Sequence, residues 1–272
     1  MGHIEVAVDG GVLSARSDGS GEPVMVVQTA QSVDELVPVM RLLGERYRVI
    51  TFDRRGYGGS AVTSGPASIE GDAMDCLAIL SELDAVPAHV IGASYSAAVA
   101  LTLASAAPSA VRTLTVAEPP PRHVPDSADF LAVNRHLLHT HEREGSTAAL
   151  EEVMTMLSGS DWRSRQEALI PGSVARFERD ADAFFLRDIP ALLGWQYGAD
   201  DATRVSAPVL YVGGTDSGSW FQQTRAWVQS LFPKARSVMV DGAGHDVALT
   251  HPAELASAIT AFIAAHDDRP EA

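Results

Sequence analysis

The chain of 272 residues contains one cysteine, Cys76, and one lysine, Lys234, against 19 arginines. A single thiol excludes an internal disulfide. Cys76 recurs at helical spacing with apolar neighbours, which reads as a core side chain and not as a nucleophile. Basic charge is scarce, and the formal net charge is -15. Such a surface repels phosphate backbones and anionic lipid heads, so neither nucleic acid nor a membrane surface is expected as a partner. No apolar run reaches the roughly 20 residues of a membrane span. Met1-Gly2-His3-Ile4-Glu5 shows no basic stretch followed by an apolar one, so a cytoplasmic location is expected. A homodimer is left open.

What the chain does have is apolar patterning: 46% of it is hydrophobic and 20% charged, a globular balance. Its length suffices for one large domain, or a core with a subdomain. Ile4 to Val8 and Val12 to Arg16 alternate around Asp9-Gly10-Gly11, which predicts a hairpin. Val24-Met25-Val26-Val27, Val49-Ile50-Thr51-Phe52, His89-Val90-Ile91, Val111 to Val116, Pro208 to Val212 and Ser237 to Val240 are short apolar runs. Such runs suit strands buried on both faces. Helical periodicity separates them, with Ser68 placed to cap the helix that carries Ile69, Ala73, Cys76, Leu77 and Leu80. The alternation predicts an α/β fold: a three-layer sandwich with a mostly parallel, doubly wound sheet. The pattern breaks at Glu118-Pro119-Pro120-Pro121, and helical patterns alone follow as far as about Arg204. Residues 119–204 are therefore expected to form an inserted helical cap, 1–118 and 205–266 the core, and 267–272 a flexible tail.

One stretch stands out. His89 to Ile91 leads through Gly92-Ala93-Ser94-Tyr95-Ser96 into an alanine-rich helix stopped by Pro108. A strand, a sharp turn and a helix would hold the Ser94 hydroxyl clear of the sheet, beside free helix N–H groups. The alternative is an ordinary helix-capping serine. A nucleophilic serine needs a base within hydrogen-bond reach and an acid to orient that base. In an open sheet, such groups converge from loops at the carboxyl ends of strands. Asp216 follows one strand through Gly213-Gly214-Thr215, and His245 follows another through Asp241-Gly242-Ala243-Gly244. Glu118, at the end of the strand after Ser94's helix, is the rival acid.

With these pieces in the order Ser94, Asp216, His245, the chain resembles the serine-nucleophile branch of the α/β-hydrolase fold superfamily over nearly its whole length. Gly92-Ala93-Ser94-Tyr95-Ser96 matches the nucleophile elbow, Gly214-Thr215-Asp216 the acid loop and Gly242-Ala243-Gly244-His245 the histidine loop. Asp53-Arg54-Arg55-Gly56-Tyr57-Gly58-Gly59-Ser60 resembles the family's D-x-R-G-x-G-x-S turn, and the helical insert falls where the family carries its lid.

The resemblance implies a triad of Ser94, Asp216 and His245, with an oxyanion hole from the backbone N–H groups of Tyr95 and Ala30. Here the chain departs from the family: Gln28-Thr29 stands where a His-Gly pair is common, which removes a glycine's backbone freedom. Thr29 N–H is the fallback donor, and Gln28, Thr29 and Gln31 are expected to bring polar side chains to the pocket. Among the insert's aromatics, Phe130, Trp162, Phe177, Phe184, Phe185, Trp195 and Tyr197, two or three should face the site; Trp195, Tyr197 and the later Trp220 are the named pocket candidates. His136, His139 and His141 read as an ordinary helix, so no metal or cofactor is expected.

The expected function is a cofactor-free serine hydrolase, esterase-like or lactonase-like, for a small to medium apolar carboxylic ester or lactone. A serine rather than an aspartate nucleophile argues against the haloalkane dehalogenase and epoxide hydrolase branches. The altered loop motivates an alternative, a lyase, cyclase or cofactor-free oxygenase on the same fold. A catalytically weak small-molecule binding protein is the third reading. Fold alone separates none of these.

Overall fold

A computed structural model describes residues 2–30, 34–60 and 66–266. Gln31 of the expected pocket and the expected tail, 267–272, lie outside the described residues.

Among the described residues the strands are β1 (Gly2–Val8), β2 (Gly11–Asp18), β3 (Pro23–Val26), β4 (Arg48–Phe52), β5 (Ala88–Ala93), β6 (Val111–Ala117), β7 (Val209–Gly214) and β8 (Arg236–Val240). They form one sheet in the order β1-β2-β4-β3-β5-β6-β7-β8. The β1–β2 hairpin and the β2–β4 pair are antiparallel. From β4 to β8 every pairing is parallel. The direction of strand addition reverses between β3 and β5, and a ligand crevice is expected at the carboxyl ends there.

The apolar runs follow from burial on both faces. Along β3 and the residue after it, Met25 and Val27 join the core on one side while Val24 and Val26 join the core on the other. Helices α1 (Val37–Leu43) and α2 (Ile69–Glu82) flank the sheet, together with α3 (Tyr95–Ala106). Gly71 N–H donates to Ser68 Oγ (3.0 Å), so Ser68 caps α2 as its sequence position predicts. Helix α3 is buried all round, which explains its alanines: only small side chains let a helix sit this close to a sheet. Cys76 is fully buried among these apolar residues, as expected.

Between β6 and β7 no described residue forms a strand. The insert is α4 (Ser127–Glu144), α5 (Ser146–Ser158), α6 (Trp162–Leu169), α7 (Ser173–Ala183), α8 (Ile189–Gly194) and α9 (Ala199–Ala202). A wider π turn, Phe184–Asp188, joins α7 to α8. The insert has an apolar core of its own, in which Leu137, Leu150, Trp162, Phe177 and Phe185 are buried. The chain then returns through α10 (Gly218–Leu231), α11 (Val247–Thr250) and α12 (Pro252–Ala264).

Trp162 and Phe177 stack in the insert's core, with ring centroids 6.4 Å apart. Truncating Phe177 to alanine should cost about 3–5 kcal/mol by urea unfolding, because the insert cannot collapse onto the void. A loss below about 1 kcal/mol would contradict this packing.

Candidate active site

The turn after β5 is strained. Ser94 has φ 50° and ψ -122°, in the left-handed half of the map where side chains are costly. The turn closes because of the glycine before it: a Cβ on Gly92 would lie 2.2 Å from the Ser96 carbonyl oxygen and 2.8 Å from Ala97 Cα. Ser94 N–H is tied to Ala117 O (2.9 Å). Ser94 occupies the N-cap position of α3, yet its hydroxyl makes no capping bond. It donates instead to His245 Nε2 (3.1 Å), which sets aside the reading of Ser94 as a helix cap.

The carboxylate behind His245 is Glu118. His245 Nδ1–H donates to Glu118 Oε2 (2.7 Å), and Gly214 N–H donates to Glu118 Oε1 (2.8 Å). Asp216, the acid expected from the sequence, is exposed; its carboxylate accepts from Thr215 Oγ1 (3.2 Å), and it makes no bond to His245. Strand ends give the physical reason. β7 finishes in Gly213-Gly214, whose bare backbone lets a carboxylate from β6 lie across it. A Cβ on Gly213 would come within 3.2 Å of Glu118 Oε1, and one on Gly214 within 2.1 Å of Ala243 O. Glu118 turns into this space with φ 44° as it leaves β6. Its side chain, 2% exposed, then reaches the histidine loop.

Two bonded partners fix the imidazole's tautomer: the proton sits on Nδ1 toward the carboxylate, and Nε2 is left to accept from serine. Phe221 fixes its plane, stacking on the ring at 3.8 Å and 13°. Sequence reasoning missed Phe221, although it directly follows the pocket candidate Trp220.

The loop facing Ser94 is fastened from behind. Thr29 Oγ1 donates to Ala93 O (2.9 Å). Arg54, only 2% exposed, donates from Nε to Gln28 O (3.0 Å) and from Nη2 to Thr29 O (3.1 Å). The same guanidinium contacts Asp72 of α2 (2.9 Å) and takes Asp188 of the insert through both Nη atoms (2.8 and 2.6 Å). It also lies over the rings of Tyr95 (4.3 Å) and Tyr57 (4.9 Å). Two fastened carbonyls compensate for the glycine that the loop lacks. Burial raises the Asp188 carboxyl above its usual range, while Arg54 pulls it down.

A cavity of about 110 Å³ opens over Ser94. Ala30, Thr29, Tyr95 and His245 line it beside the serine, and Trp220 lines it from α10. Of the seven aromatics in the insert, Phe130 and Phe184 reach it. Phe130 and Trp220 meet edge to face, with centroids 5.8 Å apart.

Three expected pocket side chains are elsewhere. Gln28 is buried, and its Oε1 accepts from Arg54 N–H (2.6 Å), so it braces the turn after β4. Trp195 and Tyr197 follow the end of α8, where the chain returns to the main core. Trp195 Nε1–H donates to Thr102 Oγ1 on α3 (3.2 Å), and both rings pack against Trp227. They complete the packing on α3 rather than line the cavity.

A further carboxylate faces the cavity, one that the sequence pattern did not single out. Glu35 lies in a single 3₁₀ turn, Asp34–Leu36, that packs against α11 just past His245. Burial in the apolar wall pushes its pKa up to about 7; His245 works against this, and Asp246 and Asp34 add to it. Among the described residues no group of three or more His, Cys, Asp or Glu side chains could hold a metal ion, and no helix is long and apolar enough to cross a membrane.

This sheet order with a strained Ser94 turn at its centre is the frame of the alpha/beta hydrolase family, whose model matches residues 30–258; the chain belongs to that family. Among its relatives, a protein of Pseudomonas syringae pv. syringae named carbamate hydrolase RutD is 28% identical over 231 residues, covering 82% of this chain and 86% of that protein. A thermophilic esterase from Thermogutta terrifontis has a similar structure, with TM-score 0.81, 21% identity, and coverage of 98% of this chain and 99% of that one. The enol-lactonase from Burkholderia xenovorans LB400 is also similar, with TM-score 0.82, 20% identity, and coverage of 96% and 100%.

Removing the Arg54 guanidinium would leave Asp72 and Asp188 buried without their cation. Arg54→Met should therefore cost about 3–5 kcal/mol in chemical denaturation. A loss under about 1 kcal/mol would show that the pair contributes little.

Proposed function

We propose that the protein is a serine hydrolase that cleaves a small to medium, largely apolar carboxylic ester or lactone through an acyl-enzyme. The observation that carries this reading is the relay from Ser94 Oγ to His245 Nε2 (3.1 Å) and from His245 Nδ1 to Glu118 Oε2 (2.7 Å). Membership of the alpha/beta hydrolase family supports it, as do relatives named for carbamate, ester and enol-lactone hydrolysis.

In this mechanism Ser94 Oγ attacks the substrate carbonyl as His245 Nε2 takes its proton. Glu118 stabilises the imidazolium that forms and keeps the ring in its tautomer. The backbone N–H groups of Ala30 and Tyr95 receive the developing oxyanion, held in place by Arg54 and by the first turn of α3. The imidazolium returns its proton to the leaving oxygen. Water then repeats the sequence on the acyl-enzyme. The helices between β6 and β7 act as a cap that excludes bulk water and brings Phe130 and Phe184 to the substrate. Gln28 provided part of the motive for a non-hydrolytic reading; its side chain is committed to Arg54 and brings no polar group to the reacting atoms.

Ser94→Ala, Glu118→Gln and Asp216→Asn should be compared on short-chain p-nitrophenyl esters. Ser94→Ala should remove nearly all turnover, and Glu118→Gln should lower kcat by roughly 10³–10⁴-fold through loss of the correct tautomer. Asp216→Asn should stay within about threefold of the parent, as an exposed substitution away from the relay. Full activity in Ser94→Ala would overturn the serine mechanism. A collapse in Asp216→Asn with Glu118→Gln active would overturn the choice of acid.

A further inference from the structure

Several acidic side chains stand at or near the Ser94 cavity, and four of them, Asp188, Asp246, Asp34 and Glu118, have a partner within the protein. Asp188 is gripped by Arg54 and also accepts from the Tyr57 hydroxyl (2.5 Å). Asp246 has Arg165 Nη2 at 3.5 Å. Asp34, beside Glu35 in the same turn, has Arg176 Nε at 2.6 Å. Glu118 holds His245. Glu35 is the exception: it lines the cavity, and no hydrogen bond or ion pair joins its carboxyl to any other described residue. Leu36 from its own turn and Val247 and Ala248 from α11 line the cavity with it.

A carboxylate in an apolar wall without a partner is poorly placed for stability, and a ligand group that donates to it recovers what burial costs. We propose that Glu35 is the specificity residue of this site, selecting esters or lactones that carry an N–H or O–H donor, an amine or a hydroxyl, and rejecting those that carry a carboxylate. The inference rests on the serine-hydrolase reading above and names the substrate class for it. Three observations converge on it. Most of the cavity wall is apolar, and among its polar side chains Asn134, Thr29 and Asp188 are already bonded to Phe130 O, Ala93 O and Arg54, which leaves Glu35 to set orientation. The neighbouring carboxylates each have an internal partner, so the demand for a donor falls on Glu35 alone. Burial raises the Glu35 carboxyl to about 7, and a donor beside it, above all an ammonium group, would favour its charged form and draw that value back down. The unpartnered Glu35 carboxyl, on a chain of net charge -15, works against an anionic substrate.

The test uses two matched ester series, one varied in the acyl chain and one in the alcohol. Each contains an unsubstituted member and members ending in a hydroxyl, an ammonium and a carboxylate. In at least one series the parent should prefer a donor-bearing ester over the unsubstituted one, with the carboxylate-bearing one worst. Glu35→Gln and Glu35→Leu should reduce that preference in kcat/KM about tenfold or more, mainly through KM, as expected for a hydrogen bond to a charged group. Glu35→Leu should also relieve the discrimination against the carboxylate ester. The hydroxyl and ammonium members separate a neutral donor from a cationic one. No preference for a donor in either series, or an equal effect of both variants on every member, would overturn the proposal. Ser94→Ala on the same panel keeps the two readings apart. If it abolishes turnover while the Glu35 variants leave selectivity unmoved, only the specificity proposal fails; if it retains turnover, the serine mechanism itself fails.

Discussion

The Glu118 carboxylate is the point on which the site is built. One oxygen takes the Gly214 N–H at the end of β7, and the other takes His245 Nδ1–H from the loop after β8. A single side chain just past β6 thus ties two neighbouring strand ends together and orients the His245 ring. The arrangement makes three demands on the chain. The end of β7 must be bare, and Gly213-Gly214 is. The acid must be long enough to cross it, and a glutamate is. The backbone at the end of β6 must turn into the left-handed region, and Glu118 does so at φ 44°.

A second constraint holds the opposite wall. Arg54 satisfies two loop carbonyls and two buried carboxylates, drawn from the loop after β3, α2 and the insert. The cation is worth having where it joins separate elements, because each partner alone would be a buried charge. The insert and the loop after β3 therefore share one anchor. A shift of the π turn that carries Asp188 would be felt at Thr29 and Ala30. Tyr95 belongs to the same cluster: its hydroxyl donates to Asp72 (2.9 Å) while its backbone begins α3 beside Ser94.

The layers of the fold were legible in the sequence because burial on both faces writes continuous apolar runs, and a helix pressed against a sheet writes small residues. The elbow was legible for the same reason: Gly92, Ser96 and Ala97 mark a close approach whatever the tertiary context. His245 could be placed because its loop follows the last strand. The acid could not, because Asp216 and Glu118 both end strands beside His245, and the choice between them depends on side-chain reach and strand-end direction. Both residues were in view; the glycine pair before Asp216 was the signal that β7 leaves room for a carboxylate arriving from β6. Trp195 and Tyr197 show the reverse limit, since an aromatic in an insert can serve either the cavity or the main core, and only the path of the chain after α8 decides. Glu35 carried no motif at all. Its place emerges only when its neighbours' carboxylates are found to have arginine partners.

The most direct test of the central claim is proton NMR of the hydrogen on His245 Nδ1, assigned through ring-¹⁵N labelling. A proton held between Nδ1 and a buried carboxylate gives a strongly downfield, slowly exchanging resonance. The account predicts that this resonance is present in the parent protein and in Asp216→Asn, and lost or moved far upfield in Glu118→Gln. Its persistence in Glu118→Gln, with disappearance in Asp216→Asn, would contradict the account.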